Sequence, residues 1–461
     1  MKQDTRHKTQ DTRHKTQDTR HKTQDKQHLI KSFNTYIMVS KKLIILLITG
    51  LVLYSSCGQK ADSAEGAYYT GQYRNLFLEN GHSQEEIAGK INSAFMQLFH
   101  GDTATQAVYF EAGSNEKGLM AYVSDVLHND VRSEGISYGM MITVQMDRKA
   151  EFDAIWNWAM SYMYVSSPEH PSEGYFAWSL KRDGTPNAET AAPDGEEYMV
   201  MALYFASHRW GDGEGIYNYK AWADKILTAM RHHPVRSGQT KFGPRVVGPM
   251  VEEDKNMIRF VPDSGSWHFT DPSYHLPAFY DLWALWGPAG DRDFWARAAI
   301  TSRDFFHLTT NPETGLAPDY ANFDGTPHPT PWNQRAGNFS FDARRTQMNW
   351  AVDWSWWRKD PRQQELSNRL QSFFTSQGID KYGTQYTLDG QLLDGNHAKG
   401  LVATNAVMSL AATHPVAKEF TEALWNTPVP SAFNERYYDG LLYLMGMLHC
   451  SGEFKIWHPE P

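Results

Sequence analysis

Apolar residues recur along this chain at the three- and four-residue spacing of helices that bury one face. Loops rich in Gly, Pro, Asp and Asn separate these segments, whereas Val- and Ile-rich runs typical of strands are few, and 246–251 is the best of them. The pattern predicts an all-α protein with roughly ten or more helices of ordinary length. The clearest helical segments are 83–99, 153–165, 198–211, 219–233, 276–287, 342–360, 400–413 and 437–450.

The first 68 residues are expected to lie outside the folded domain. Residues 1–37 contain a polar heptapeptide that repeats at Asp4, Asp11 and Asp18, and this segment is predicted to be disordered or untranslated. Residues 38–57 have two lysines, an apolar stretch and small residues before Cys57, as in a lipoprotein signal peptide. An uncleaved membrane anchor is the alternative, but an apolar run of about 12 residues is short for a bilayer.

These features predict a lipid-anchored protein of the cell envelope, on the periplasmic side or at the outer-membrane surface. Cys57 would carry the lipid, residues 58–68 would form a small, polar tether, and 69–461 would be a single catalytic domain. If Cys57 is lipidated, Cys450 has no intramolecular partner, so the fold needs no disulfide. We expect a monomer.

Composition narrows the ligand classes. The net charge of -9 argues against a nucleic-acid partner, because no basic stripe outweighs the acids. The chain contains 16 Trp and 23 Tyr, enough for a cleft lined with flat rings on which sugars stack, although core packing also uses such rings. The sequence has no H-E-x-x-H motif and no cysteine cluster to support a metal site.

Residues 135–139 match the G-x-S-x-G elbow that presents a nucleophilic serine in α/β-hydrolases, here Ser137. That elbow needs a buried strand before the turn and a parallel sheet around it. The preceding segment, 124–133, is polar and interrupted. Several histidines lie downstream, so composition alone leaves the serine-hydrolase alternative open. The helical pattern counts against a serine hydrolase.

Three acidic residues are stronger candidates for chemistry. Glu134 opens a helix-like run with two glycines, and Asp194 precedes an apolar helix, where an acid is most often an N-cap. Asp342 begins a segment in which Arg345, Asn349 and Asp353 share its helical face. On a surface helix that stripe would be only a solvated salt-bridge face.

The three acids lie in ordered blocks that together resemble glycoside hydrolase family 8. The blocks are S-E-G-x-x-Y-G-M at 133–140, A-x-D-G-[DE] at 192–196 and [FY]-D-A-x-R at 341–345, and the helix from Tyr437 also looks like that family's last one. The resemblance spans about residues 70–457. It implies an (α/α)6 barrel and inversion at the anomeric carbon, with neither metal nor cofactor.

The resemblance also implies a role for each acid. Glu134 would protonate the departing glycosidic oxygen, Asp342 would activate water on the opposite face, and Asp194 would bind the sugar at the cleavage point. Burial in an aromatic cleft should raise the pKa of Glu134 by more than the helix N-terminus lowers it. Activity should then have an acid limb set by Asp342 and an alkaline limb set by Glu134.

Within the family, the amino-acid sequences of these blocks most resemble those of the xylan-active branch that releases xylose from the reducing end of xylo-oligosaccharides. In that branch a histidine loop closes the aglycone side, and His397 is the matching candidate here. An open groove would instead give an endo-β-1,4-xylanase or another family 8 endoglycanase. Further candidates for substrate contact are Tyr138, Tyr198, Arg345, Trp178, Trp267 and Tyr274.

A non-enzymatic protein is the remaining alternative. A surface glycan-binding lipoprotein would also need stacking rings, but binding alone does not require Glu134, Asp194 and Asp342 together.

Overall fold

Twelve α-helices of the computed structural model, which describes residues 65–460, alternate between an outer and an inner ring. The inner helices contact their neighbours around the ring, and each outer helix packs against the inner ones. This arrangement confirms the predicted (α/α)6 barrel. The outer helices are α1 (Gln84–His100), α3 (Lys149–Trp158), α5 (Tyr219–His232), α7 (Arg292–Thr309), α9 (Arg362–Gln377) and α11 (Ala417–Asn426). The inner helices are α2 (Ser133–Gln145), α4 (Pro193–Trp210), α6 (Pro277–Trp286), α8 (Ala343–Trp357), α10 (Lys399–Val407) and α12 (Tyr438–Cys450).

Local sequence explains where several helices begin and end. Ser83 and Glu86 form a reciprocal capping box at the start of α1. Pro193 occupies the first turn of α4, where its missing N–H costs nothing, and Gly211 ends that helix. Helix α2 is buried at every position except Glu134, so its residues pack on all sides.

The polar stripe of helix α8 lies inside the barrel. The alternative of a solvated surface face does not apply to it, because Arg345, Asn349 and Asp353 are all buried. Asp353 pairs with Arg303 at 2.6 Å, and Asn349 donates to a backbone carbonyl. A helix with polar side chains and no water must satisfy them internally, so this face belongs to the interior of the barrel.

Short strands accompany the helices. Strands β1 (Tyr109–Asn115), β2 (Gly118–Asp125), β3 (Asp130–Arg132) and β4 (Ser179–Lys181) form an antiparallel sheet in that order. Strand β3 runs directly into α2 and so fixes the position of Glu134. The remaining strands form two-residue to five-residue antiparallel pairs: β5 (Arg236–Thr240) with β6 (Gly243–Val247), β7 (Val251–Glu252) with β8 (Met257–Ile258), and β9 (Gln385–Tyr386) with β10 (Leu392–Asp394).

The folded part begins slightly before the predicted boundary at residue 69. Two short helices, Ala67–Thr70 and Leu76–Glu79, precede α1. Tyr68 stacks on Trp357 with ring centroids 4.3 Å apart, so this end of the expected tether packs on the barrel. The polar repeat, the signal sequence and Cys57 lie outside the described residues. Within 65–460, no helix combines the length and apolar character needed to cross a membrane.

Candidate active site

Three carboxyl groups meet around one buried guanidinium, that of Arg345. Its Nη1 donates to Glu134 Oε2 at 2.9 Å and to Asp194 Oδ2 at 3.0 Å, while Nη2 donates to Asp342 Oδ1 at 2.9 Å. The acids come from the first turns of α2 and α4 and from the residue before α8. The structure therefore brings together all three acids that the sequence singled out, at the starts of three inner helices.

Because Arg345 binds both Glu134 and Asp342, it also limits the distance between these two carboxyl groups. Oxygens bound to the two terminal nitrogens of one planar guanidinium lie at most about 8 Å apart, a limit that is compatible with the roughly 6.5–9.5 Å typical of inverting glycosidases. The Asp342 side chain is 28% exposed and lines the cavities beside this centre, and its second oxygen, Oδ2, accepts no hydrogen bond from the described residues. Such an oxygen is free to accept a proton from water.

The surroundings of Glu134, in contrast, favour its protonated form. Its Oε1 accepts a hydrogen bond from Tyr437 at 3.0 Å. A side chain at Gly135 would place its Cβ 2.6 Å from the Tyr437 ring, so the glycine is what admits that ring. Burial raises the pKa of Glu134 from 4.5 to about 7, with Arg345 opposing and the charges of Asp194 and Asp342 adding. A carboxyl with that pKa can carry a proton near neutrality.

Asp194 lies deeper, between α4 and α2. Burial raises its pKa, and the neighbouring Arg345 opposes that rise. Its Oδ1 accepts the N–H of Gly195. A Cβ at Gly195 would come within 2.5 Å of Ser133 Cβ, so the glycine lets the two helix starts approach and places Asp194 beside Glu134.

A groove passes through this centre and opens into two arms. Glu134, Asp342 and Arg132 line both. The His397 arm is a cavity of about 570 Å³ whose other lining residues include Asp125, His128, Phe341, Asn396, His397, Phe433, Glu435 and Tyr438. The Trp178 arm is a cavity of about 560 Å³ whose lining includes Trp178, Asp194, Arg245, Phe260, Tyr274, Tyr320 and Trp332. The pair of carboxyls thus lies in the middle of a longer binding groove.

The predicted aromatic contacts divide into two groups. Trp178 and Tyr274 line the groove, and Tyr274 also faces the Arg345 guanidinium, whose carbon lies 5.6 Å from the ring centre. Trp267 lines neither arm, and the Arg259 guanidinium carbon lies 4.9 Å from its ring centre. Tyr198 is a core ring packed against Tyr138.

Tyr138 contacts the guanidinium that binds the three acids, and His397 lines one arm of the groove. The Tyr138 hydroxyl accepts from Arg345 Nη1 at 3.2 Å, which supports the guanidinium from below. His397 lines its arm, and its Nδ1 donates to the Tyr382 carbonyl at 2.9 Å. That bond fixes one tautomer and leaves Nε2 as an acceptor for a sugar hydroxyl.

Ser137 is not placed as a nucleophile. It is buried within α2, and its hydroxyl donates to the Glu134 carbonyl at 2.9 Å. The strand before it belongs to a small antiparallel sheet and not to the parallel sheet that a nucleophile elbow requires. As for metals, residues 65–460 contain no group of three or more His, Cys, Asp or Glu side chains that could hold an ion.

Sequence reasoning did not assign several residues that the structure places in the groove. Tyr437 lay in a recognised block, but its bond to Glu134 depends on the meeting of α12 and α2. Phe341 and Trp332 are large exposed rings that flank the two arms. The signal available for Phe341 was its place as the first residue of the [FY]-D-A-x-R block, directly before Asp342.

An α-helical barrel with paired carboxyls across a ring-lined groove is the architecture of a glycosidase. The sequence profile described as glycosyl hydrolases family 8 matches residues 123–452. The chain belongs to this family.

Similar proteins have been described in several bacteria. The reducing end xylose-releasing exo-oligoxylanase of Halalkalibacterium halodurans is 45% identical over 402 residues, which cover 86% of this chain and 98% of that protein. Two crystal structures from Teredinibacter turnerae, a family 8 xylobiose complex and a xylohexaose complex of a catalytic mutant xylanase, are each 52% identical with a TM-score of 0.84. Each match covers 86% of this chain and 100% of the other.

Proposed function

We propose that this enzyme hydrolyses β-1,4-xylosidic bonds with inversion and releases xylose from the reducing end of xylo-oligosaccharides. The similarity to the Halalkalibacterium halodurans exo-oligoxylanase supports the substrate and the mode of release. The observation that carries the chemistry is the pair Glu134 and Asp342, joined by Arg345: Glu134 is 16% exposed and has a raised pKa, whereas Asp342 is 28% exposed and lines the groove.

In the proposed mechanism, Glu134 enters the reaction protonated and gives its proton to the leaving oxygen as the glycosidic bond breaks. Asp342 takes a proton from a water molecule that attacks the opposite face of the sugar. Asp194 binds the sugar at the cleavage point and stabilises its distorted ring. Arg345 holds all three groups in register, because its planar fork fixes the direction of each ion pair.

The two arms then have different roles. The Trp178 arm contains Asp194 and binds the glycone, and the His397 arm binds the leaving sugar. In an exo-acting enzyme the His397 arm accepts a single xylose. The Nδ1 of His397 is occupied by the Tyr382 carbonyl, so Nε2 is the ring nitrogen left to bind a hydroxyl of that sugar.

The test is the product pattern from xylohexaose carrying an isotope label at its reducing end. Reducing-end release predicts labelled xylose and unlabelled xylopentaose as the first products, and the newly formed reducing end should appear as the α anomer by NMR. Xylohexaose reduced to its alditol is the matched control substrate and should react much more slowly. Labelled xylobiose and xylotriose as early products would refute exo action, and a β-anomeric product would refute inversion.

An endo-β-1,4-xylanase is the second candidate. It is favoured by the 52% identity to the xylanase from Teredinibacter turnerae, and by a groove that extends on both sides of the carboxyl pair. Rapid loss of viscosity in polymeric xylan would support this candidate, whereas xylose as the sole early product would exclude it.

We also propose that the enzyme is anchored to the cell envelope as a monomer, with lipid on Cys57. The apolar stretch before Cys57 supports this, since it has the length and flanking residues of a lipoprotein signal. Metabolic labelling with a fatty acid should mark the wild type and not Cys57→Ser. Light scattering of the catalytic domain should give the mass of one chain.

A further inference from the structure

Asp342 directly precedes helix α8, but its side chain does not cap that helix. An aspartate at the N-cap position usually accepts a hydrogen bond from an N–H of the first turn. Asp342 occupies that position, yet its side chain makes no such bond. Its Oδ1 instead accepts from Arg345. The backbone donors around the start of α8 must therefore find another acceptor.

Asp319, from a separate loop, supplies that acceptor. Its Oδ1 accepts from the N–H of Ser340 at 3.1 Å and of Ala343 at 3.0 Å, and its Oδ2 accepts from the N–H of Phe341 at 3.2 Å. These three amides surround Asp342 on both sides in the sequence. The carboxyl is 1% exposed, so the contacts are not shared with bulk water.

We infer that Asp319 is the positioning residue of the general base: it caps α8 in place of Asp342, which leaves the Asp342 carboxylate free to face the groove. The inference rests on the proposed function, in which Asp342 activates water. The reason is competition for one set of donors. Without Asp319, the shortest route to satisfying the start of α8 is for Asp342 to turn inward and cap its own helix.

Three substitutions test the inference. Asp319→Ala removes both acceptor oxygens and should lower kcat on xylotriose by about 100-fold, the scale expected when a catalytic group is displaced by about 1 Å. KM should change little, because the residues lining both arms remain. Asp319→Asn keeps one oxygen for Ser340 and Ala343 and should recover part of the loss. Asp360→Ala is the matched control.

Asp360 is a buried aspartate that accepts the N–H of Arg362 at the start of α9, and it lines neither arm of the groove. Its replacement should lower the melting temperature and leave kcat unchanged. A kcat for Asp319→Ala within twofold of the wild type would overturn the inference, and so would an equal loss of kcat in Asp360→Ala. A rise in KM at constant kcat would overturn it as well.

Hydrogen exchange of the peptide 338–345 tests whether Asp319 holds the start of α8 through these hydrogen bonds, and it does not depend on turnover. The amide of Phe341 should exchange faster in Asp319→Asn than in the wild type, because it loses its acceptor oxygen, and the amides of Ser340, Phe341 and Ala343 should all exchange faster in Asp319→Ala. Unchanged exchange in both variants would refute the proposed capping by Asp319. Xylotriose hydrolysis by the wild type is measured in the same series. A wild type that does not hydrolyse xylotriose refutes the proposed function, while the exchange result still decides whether Asp319 holds the start of α8.

Discussion

Replacing Glu134 with glutamine should separate its catalytic role from its cost to stability. Burial raises the pKa of Glu134 from 4.5 to about 7. At about 1.36 kcal/mol per pKa unit, ionising this group in the folded protein costs up to ~3 kcal/mol, an upper value because its side chain is 16% exposed and partly screened. Glutamine keeps the shape and never ionises.

The direction of the stability difference between this variant and the wild type follows from the linkage between proton binding and folding. A carboxyl with a pKa raised by folding binds its proton more tightly in the native state, so the wild type loses stability as pH rises from the unfolded pKa to the folded one. Glu134→Gln should therefore be more stable than the wild type near pH 8, by as much as ~3 kcal/mol, and equally stable near pH 4. Urea unfolding at the two pH values measures this difference.

Turnover should fall in the same variant, even though its stability near pH 8 should rise. Loss of a general acid typically lowers turnover by about 10²–10⁴-fold, so Glu134→Gln should lose that much kcat on xylotriose. The loss should be much smaller on a xylobioside with a 2,4-dinitrophenyl leaving group, which departs without protonation. The wild-type kcat/KM should fall as pH rises through about 7. Unchanged turnover, or an equal loss on both substrates, would refute the assignment of Glu134 as the acid.

Three further substitutions probe the surroundings of the acids. Arg345→Lys should lower kcat strongly and destabilise the fold by about 3–5 kcal/mol, measured by urea unfolding, because a single ammonium cannot take the place of a buried guanidinium that pairs with three carboxyls. Gly195→Ala should cost about 1–3 kcal/mol of stability, since its Cβ would meet Ser133 at 2.5 Å, and a thermal melt equal to that of the wild type would contradict this packing. His397→Ala should reduce the preference for xylohexaose over its reduced alditol, measured as the ratio of kcat/KM values, and should leave the anomeric form of the product unchanged.

Much of the fold was predictable from periodicity. Helices whose apolar residues recur every three or four positions were found where the pattern was strong, as in α1, where the capping box also marks the beginning. The short strands were harder, because β3 and β4 contain only three residues each and their pairing depends on contacts far apart in sequence. The buried polar face of α8 was harder still, since a polar stripe has the same sequence pattern in water and in a barrel interior.

The sequence by itself determined which residue types were available for chemistry: the ordered blocks around Glu134, Asp194 and Asp342, and the glycines beside two of them. The tertiary structure alone decided how each acid is used. Arg345 meets all three because three inner helices begin at the same end of the barrel, and Asp319 reaches α8 from another loop. Burial and charge are properties of that assembly, because the pKa of a carboxyl depends on what surrounds it in space and not on its neighbours along the chain.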